Sequence, residues 1–475
     1  MNLYKSKIFI LFATFLMSLT SFASYRGGKK SVVIDSSNVL SSFTVADCHY
    51  IIYGNIDLKG GTIRIPSGCI LDFQRGSMVN GSVVGRETQM NGLHGNCIGF
   101  TAEGTWSVEK INDSYFDVEQ LSDNQIMSNI NNLQSDKIFN KIYLNKDHYC
   151  CSIYKAGGCV LDVSSNSKVY LNSTISIEGN DLVSYKIIRI VNRENVQIKG
   201  GTIVGDVGLH KYVDGSTSQW GHGVLIQNSK RVRIENTIVM KCIGDGFTIT
   251  GGSGQHTGDM SQASSDVVLN HVTAKFNRRQ GLSIIHAENV VVKNSVFSDT
   301  GTIEFQSPSA GIDIEPNIEP HNQTTRNIKI INCKCERNAG RSILSNHYVN
   351  YKGVKSVSSV VIDGCSCDGK VELYTGGIRI KNSSFASLEV IAEKDPIDGL
   401  SFTRCSIDVQ GISLCCRNKK NGGETGIDGV LFKKCRIVLP NNMTIVNEGI
   451  PAKLDGNLNN IMGVVFNSCK IITNK

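Results

Sequence analysis

The sequence predicts an all-β chain, a single right-handed parallel β-helix whose N-terminal cap contains one short helix. Three observations lead there. A strand-like run of alternating apolar residues, ending in an Asn-type residue and then a small residue or Cys, recurs between Val169 and Ser468. A second strand type, opening on Gly, lies between its copies. No helical pattern of useful length separates most of them, and period-2 alternation is a strand signal. Two short strands and a turn per repeat fit a solenoid whose coils stack about 4.8 Å apart. A propeller needs four strands per repeat at a steadier period.

Residues 1–24 read as a leader rather than part of the fold. Lys5 and Lys7 form a basic start, Ile8 to Met17 is almost wholly apolar, and Ala23 lies near a plausible cut in a small-residue stretch. The apolar run is too short to span a bilayer, so a cleavable signal peptide is expected, with a secreted, periplasmic or cell-surface address. No later stretch reads as a membrane helix. Removing the two lysines lowers the formal charge from +7 to +5.

Residues 25–150 read as a cap plus early coils. Thr62-Ile-Arg-Ile65 and Cys69-Ile-Leu-Asp-Phe73 look like strands, and residues 118–135 are the best helix candidate. Ser122-Asp-Asn-Gln125 resembles a capping box, with Ile126, Ile130 and Leu133 on one face. A solenoid end needs covering against edge pairing.

Residues 151–475 read as the main coils. Copies of the first strand include Val196-Gln-Ile-Lys-Gly200, Val232-Arg-Ile-Glu-Asn236, Val290-Val-Val-Lys-Asn294 and Ile328-Lys-Ile-Ile-Asn332, and successive copies lie 18 to 38 residues apart. The Gly-led copies are Gly223-Val-Leu-Ile226, Gly246-Phe-Thr-Ile249, Gly281-Leu-Ser-Ile284, Gly311-Ile-Asp-Ile314, Gly340-Arg-Ser-Ile343 and Gly411-Ile-Ser-Leu414. A solenoid grows by adding coils, so 475 residues need not mean several domains. Many of the 47 glycines then mark recurring turns. Cys333, Cys365, Cys405, Cys435 and Cys469 share the slot after the Asn-type residue, where Ser295 and Ser383 stand in other coils. They read as an inward ladder of small side chains; the alternative is disulfides between adjacent coils, which an oxidising compartment allows.

Composition excludes several classes. With 40% hydrophobic and 19% charged residues the chain can bury a large core, and no Lys/Arg run resembles a nucleic-acid patch. Sixteen cysteines over this length do not make a small disulfide scaffold.

Candidate chemistry lies on the outward face of the Gly-led strands. Residues one and three after each Gly are mostly apolar and must point inward, so residues two and four after it face solvent. In one coil these are Asp313 and Glu315. Paired carboxylates serve glycosidases, one protonating the leaving oxygen and one acting as base or nucleophile, and mutual repulsion raises one pKa. A solvated strand face is the bland alternative. Asp245 is a third carboxylate, although Asp-Gly is also a common turn. Arg278 and Arg279 could bind a substrate carboxylate or sulfate, or be ordinary loop charges. His222 and His286 are candidate acid–base or substrate contacts. Trp220, with Tyr212 and His210, lies on the loop at 205–222, which could wall a sugar cleft. No Cys-x-x-Cys pair faces a second one, so no metal site is expected.

The repeats, together with Tyr115-Phe-Asp-Val118, the following helix and Asn140-Lys-Ile-Tyr-Leu144, resemble the pectate-lyase-like right-handed β-helix superfamily of carbohydrate-active proteins, which includes polygalacturonase-type hydrolases and phage tailspikes. The resemblance implies a polysaccharide or oligosaccharide substrate. Polygalacturonase-like hydrolases carry Asn-x-Asp, Gly-Asp-Asp, Gly-His-Gly and Arg-x-Lys in that order. Here Gly244-Asp245-Gly246 matches only the first Asp of the second motif, Gly221-His222-Gly223 precedes it, and Arg379-Ile-Lys381 falls inside a repeat. The full constellation is therefore missing. The expectation is a secreted polysaccharide-degrading enzyme, a glycoside hydrolase with Asp313 and Glu315 as acid/base pair, Asp245 assisting, and Arg278, Arg279, His222, His286 and Trp220 on substrate. No cofactor is expected for that reaction. A lyase would use Arg278 or Arg279 as base, with Ca²⁺ held by Asp245, Asp313 and Glu315. A non-catalytic glycan-binding or surface β-helix is the third reading.

Overall fold

The computed structural model describes residues 25–26, 29–37, 42–136, 139–153, 157–252, 260–317, 323–346, 356–392, 397–416, 426–439, 453–456 and 463–473. The expected leader, residues 1–24, lies outside them. The chain divides into two compact units, residues 1–142 and 143–475.

In the first unit, mostly parallel strands carry helix α1 (Asp123–Leu133). The helix is shorter at both ends than the 118–135 window. Its start is the expected capping box, with Ser122 and Gln125 exchanging side-chain and backbone bonds. Ile126, Ile130 and Leu133 are buried on its apolar face. Asn129, on the same side, satisfies the exposed edge of strand Ile98–Val108: its amide oxygen accepts from Ala102 N–H at 2.9 Å, and its amide nitrogen donates to Phe100 O at 2.8 Å. A helix thus covers backbone groups that would otherwise template pairing.

The second unit is a right-handed parallel β-helix. The recurring Val/Ile strands stack in one parallel sheet, in register across coils: Val196 on Val232, Val267, Val290, Ile328, Val360 and Ile378 in turn. Their inward residues form columns. The last column ends in Phe402, Phe432 and Phe466, stacked at 4.7 Å between successive rings.

The Asn-type slot is a turn in the left-handed region. Asn236, Asn294, Asn332 and Asn382 all have φ between 51° and 56°. Asn tolerates this conformation better than most residues, and Gly364, Arg404, Lys434 and Ser468 adopt it in other coils. The next residue turns inward, and in several coils its side chain donates to a carbonyl of the preceding coil. Thr237 donates to Gly200 O at 2.9 Å, Cys365 to Ile330 O at 3.6 Å and Cys435 to Phe402 O at 3.4 Å. The ladder cysteines are free thiols.

The Gly-led strands belong to the other long sheet. They are β2 (Trp220–Gln227), β3 (Asp245–Thr250), β4 (Gln280–Ile284) and β5 (Ala310–Ile314), flanked by β1 (Ser184–Val191) and β6 (Ile343–Ser345). A Cβ on Gly281 would stand 2.5 Å from Gly311 O, so close approach between coils selects Gly there. One alignment is corrected. Ser342, not Gly340, occupies the glycine column, because Ile343 pairs with Ile312.

Candidate active site

The register of β1 to β5 builds two outward columns. One runs Lys186, His222, Asp245, Gln280; the other runs Arg189, Leu225, Thr248, Ser283, Asp313. Glu315 follows at the end of β5. The expected parity is correct, but solvent exposure is not. Asp313 and Asp245 are both fully buried, and the Glu315 side chain is 13% exposed. Neighbouring polar side chains lie over this face.

Arg279 is the centre of the cluster. Its Nη1 donates to Asp245 Oδ1 and to Glu315 Oε1, each at 3.1 Å, and its Nη2 donates to Glu315 Oε2 at 2.9 Å. Those two carboxylate oxygens therefore lie no farther apart than twice that distance, about 6.2 Å. At such a spacing the guanidinium is what lets both carry charge. Asp245 Oδ2 also accepts from Ser283 Oγ at 2.9 Å and Thr248 Oγ1 at 3.1 Å.

Asp313 lies beneath. Gln280 Nε2 donates to its Oδ2 at 2.6 Å, while no donor among the described residues reaches its Oδ1. Burial first, and then the Glu315 charge, push its carboxyl well above the usual range. Burial also raises Glu315, against the pull of Arg279. Burial and the adjacent Glu315 charge thus favour the protonated form of Asp313 in this pair.

Asp245, Glu315, Arg279, His222, Trp220 and Lys186 line one open cleft of about 490 Å³. The Asp245 backbone N–H donates to His222 Nδ1 at 3.2 Å, so the ring proton sits on Nε2. Burial and the Lys186 and Arg279 charges hold His222 well below its ordinary value, which makes the ring neutral. The 3.5 Å approach of Nδ1 to Asp245 Oδ2 is thus not an ion pair. Trp220 is 47% exposed, with its indole edge-on to His222.

The other two candidates lie elsewhere. Arg278 ties two loops together: it stacks 4.5 Å from the Tyr212 ring and donates to Thr217 O at 2.8 Å and Gln306 Oε1 at 3.1 Å. His286 is fully buried, its Nδ1 2.9 Å from Thr324 O. His210 pairs with buried Asp206 at 2.7 Å.

Lys186 was not singled out from the sequence. Its Nζ donates to Trp220 O at 2.7 Å. Burial pulls its ammonium down to about 8, partly offset by the Asp245 charge. Strand β1 has no Gly to anchor its register, and consecutive buried Ile187 and Ile188 break its alternation. The signal that was available is its place one strand before the His222 strand.

No protein-family model matches the chain. Among curated proteins it is 25% identical over 302 residues to the uncharacterized protein YclG of Bacillus subtilis (strain 168), covering 58% of this chain and 48% of that protein. It is 26% identical over 288 residues to the SPbeta prophage-derived uncharacterized protein YorA of the same organism, covering 54% and 48%. The chain thus spans about half the length of these relatives. Among solved structures it is similar to tailspike protein gp49 of Acinetobacter baumannii bacteriophage Fri1, a capsular polysaccharide depolymerase, at 14% identity and TM-score 0.49 over 77% of this chain and 64% of that one. It is also similar to the catalytic domain of a GH87 α-1,3-glucanase, at 10% identity and TM-score 0.36 over 96% and 71%.

Proposed function

We propose that this chain is a polysaccharide-degrading enzyme, a glycoside hydrolase working in the cleft over β2 to β5. The observation that carries the reading is the pair Asp245 and Glu315, facing one cleft across one guanidinium, with the buried Asp313 carboxyl behind Glu315. Hydrolysis needs an acid at the leaving oxygen and a carboxylate near the sugar carbon. In this reading the one proton of the pair passes from Asp313 to Glu315, and Glu315 then delivers it to the glycosidic oxygen, which leaves both carboxyl groups ionised. The C–O bond breaks, and Asp245 acts as base toward the incoming water or as nucleophile toward the sugar. Solvent carries the proton back to the pair. Neutral His222 offers Nε2–H to a sugar hydroxyl, and Trp220 offers an apolar face to a sugar ring. A leader at residues 1–24 would suit export toward an extracellular glycan. Among the described residues, no helix is long and apolar enough to cross a membrane.

One observation favours a lyase as second reading. Lys186, with its lowered proton affinity, faces the same cleft and could take a proton from a sugar carbon. Ca²⁺ does not fit between the carboxylates, because Arg279 already donates to both. No step here runs through a metal.

The test is reducing-end release from a panel of polysaccharides by the wild type and Glu315→Gln. General acid–base catalysis contributes about 10²–10⁴ in rate, so the variant should lose at least about 100-fold. Unchanged release would overturn the role of Glu315. Ultraviolet-absorbing products lost in Lys186→Gln would select the lyase. Binding without any release would leave a glycan-binding protein.

A further inference from the structure

We infer that the cleft continues over the preceding coils into a basic subsite, formed by Lys186, Arg189 and Arg193, that takes an anionic group on the glycan. A second hollow, of about 500 Å³, is lined by these three residues and Asp162. It shares Ser184, Lys186, Leu225 and Gln227 with the carboxylate cleft, so the two are one groove along the stacking direction. The columns show how it is built. Lys186 pairs with His222 and Arg189 with Leu225, and Asp162 lies one coil earlier, opposite Arg189. Arg193 stands in the turn just after β1.

Charge changes along this groove. At the carboxylate end, Arg279 already faces two carboxylates, donating to Asp245 and Glu315 through Nη1 and Nη2. Arg278 is turned into the loops. The two arginines expected from sequence to bind a substrate anion are therefore committed elsewhere. At the other end the described lining residues include Lys186, Arg189 and Arg193 beside Asp162, and Arg189 meets that carboxylate through Nη2 at 2.5 Å while its side chain stays 34% exposed. Arginine suits carboxylate and sulfate because its fork can donate two parallel bonds. Between the two ends stand Leu225, Gln227 and neutral His222, with no further acid among the described lining residues. The substrate class is thus a polysaccharide of uronate or sulfated residues, with one charged residue about two coils from Asp245, roughly 10 Å.

This inference rests on the glycan-degrading reading, and the experiment separates the two. Binding of the full chain is measured by calorimetry for alginate and polygalacturonate, for the carboxyl-reduced forms of the same polymers, and for dextran sulfate beside dextran. The wild type should bind one charged form at least about tenfold tighter than its neutral counterpart. The uronate and sulfate arms identify which anion is taken. Arg189→Gln/Arg193→Gln should lose that preference, about tenfold per arginine, because a hydrogen bond to a charged group contributes about 1.5–3 kcal/mol. Arg189→Lys/Arg193→Lys should keep part of it, which distinguishes lost charge from lost folding. Equal binding of charged and neutral forms, absence of charge-dependent binding across the panel, or an unaffected Gln double variant overturns the subsite. Charge-dependent binding without cleavage supports the subsite and sinks the enzyme reading. Cleavage that ignores both charge and the arginines does the reverse.

Discussion

Asp313 is a carboxylic acid kept neutral by its surroundings, and that has consequences at the level of one side chain. Its folded pKa lies well above the unfolded value, so the folded state holds its proton more tightly. Any stability tied to that proton is fully present below the ordinary carboxyl value, near 4, and is lost as pH rises through the raised value. Asp313→Asn, which mimics the protonated acid, should leave thermal stability at neutral pH nearly unchanged. It should also flatten the loss of stability toward alkaline pH; a melting series from pH 5 to 10 on both proteins checks this. Arg279→Ala should act oppositely. It leaves buried carboxylates without their counter-charge, and breaking a buried ion pair costs about 3–5 kcal/mol. Denaturant melts should show that loss shrinking as pH falls and the carboxylates protonate.

At the level of strands, turns and loops, the ladder slot and the loop staple make separate demands. Cys365 uses its thiol to donate to Ile330 O, and Ser383 occupies the same slot one coil later, donating to Lys381 O at 2.8 Å. Cys365→Ser should therefore lower stability by less than about 1.5 kcal/mol. Cys365→Val, which leaves the carbonyl unpaired, should fall in the range of about 1–3 kcal/mol. Chemical denaturation of the two variants decides between packing and hydrogen bonding. Arg278→Ala removes the tie from β4 to the loops holding Tyr212 and Gln306; it should raise KM with a smaller effect on kcat, and speed limited proteolysis near Thr217. These elements were largely legible in the sequence, because alternation, left-handed turn residues and glycine columns are local signals. The roles of Arg278 and Arg279 were not, since adjacent residues point to different partners. Arg279 reaches back 34 positions to Asp245 and forward 36 to Glu315, separations that no local pattern encodes. Nor did the outward position of Asp313 reveal that its neighbours would cover it.

For the molecule as a whole, stacking means that each coil is held mainly by the one before and the one after. The site draws on one strand from each of five successive coils, β1 to β5, so its geometry depends on coil-to-coil register rather than on a few loops. A substitution such as Gly281→Ala, which pushes a Cβ toward Gly311 O, should disturb the Asp245–Arg279–Glu315 spacing from the inner side of the wall. Lost activity with retained far-ultraviolet dichroism is the expected result.

The thiol column gives the C-terminal coils a built-in clock. Cys333, Cys365, Cys405 and Cys435 are each at most 2% exposed, and each points its sulfur at the backbone of the coil before. An alkylating reagent can reach them only when coils part. Timed mass-spectrometric labelling would then record, position by position, the order in which the stack comes undone.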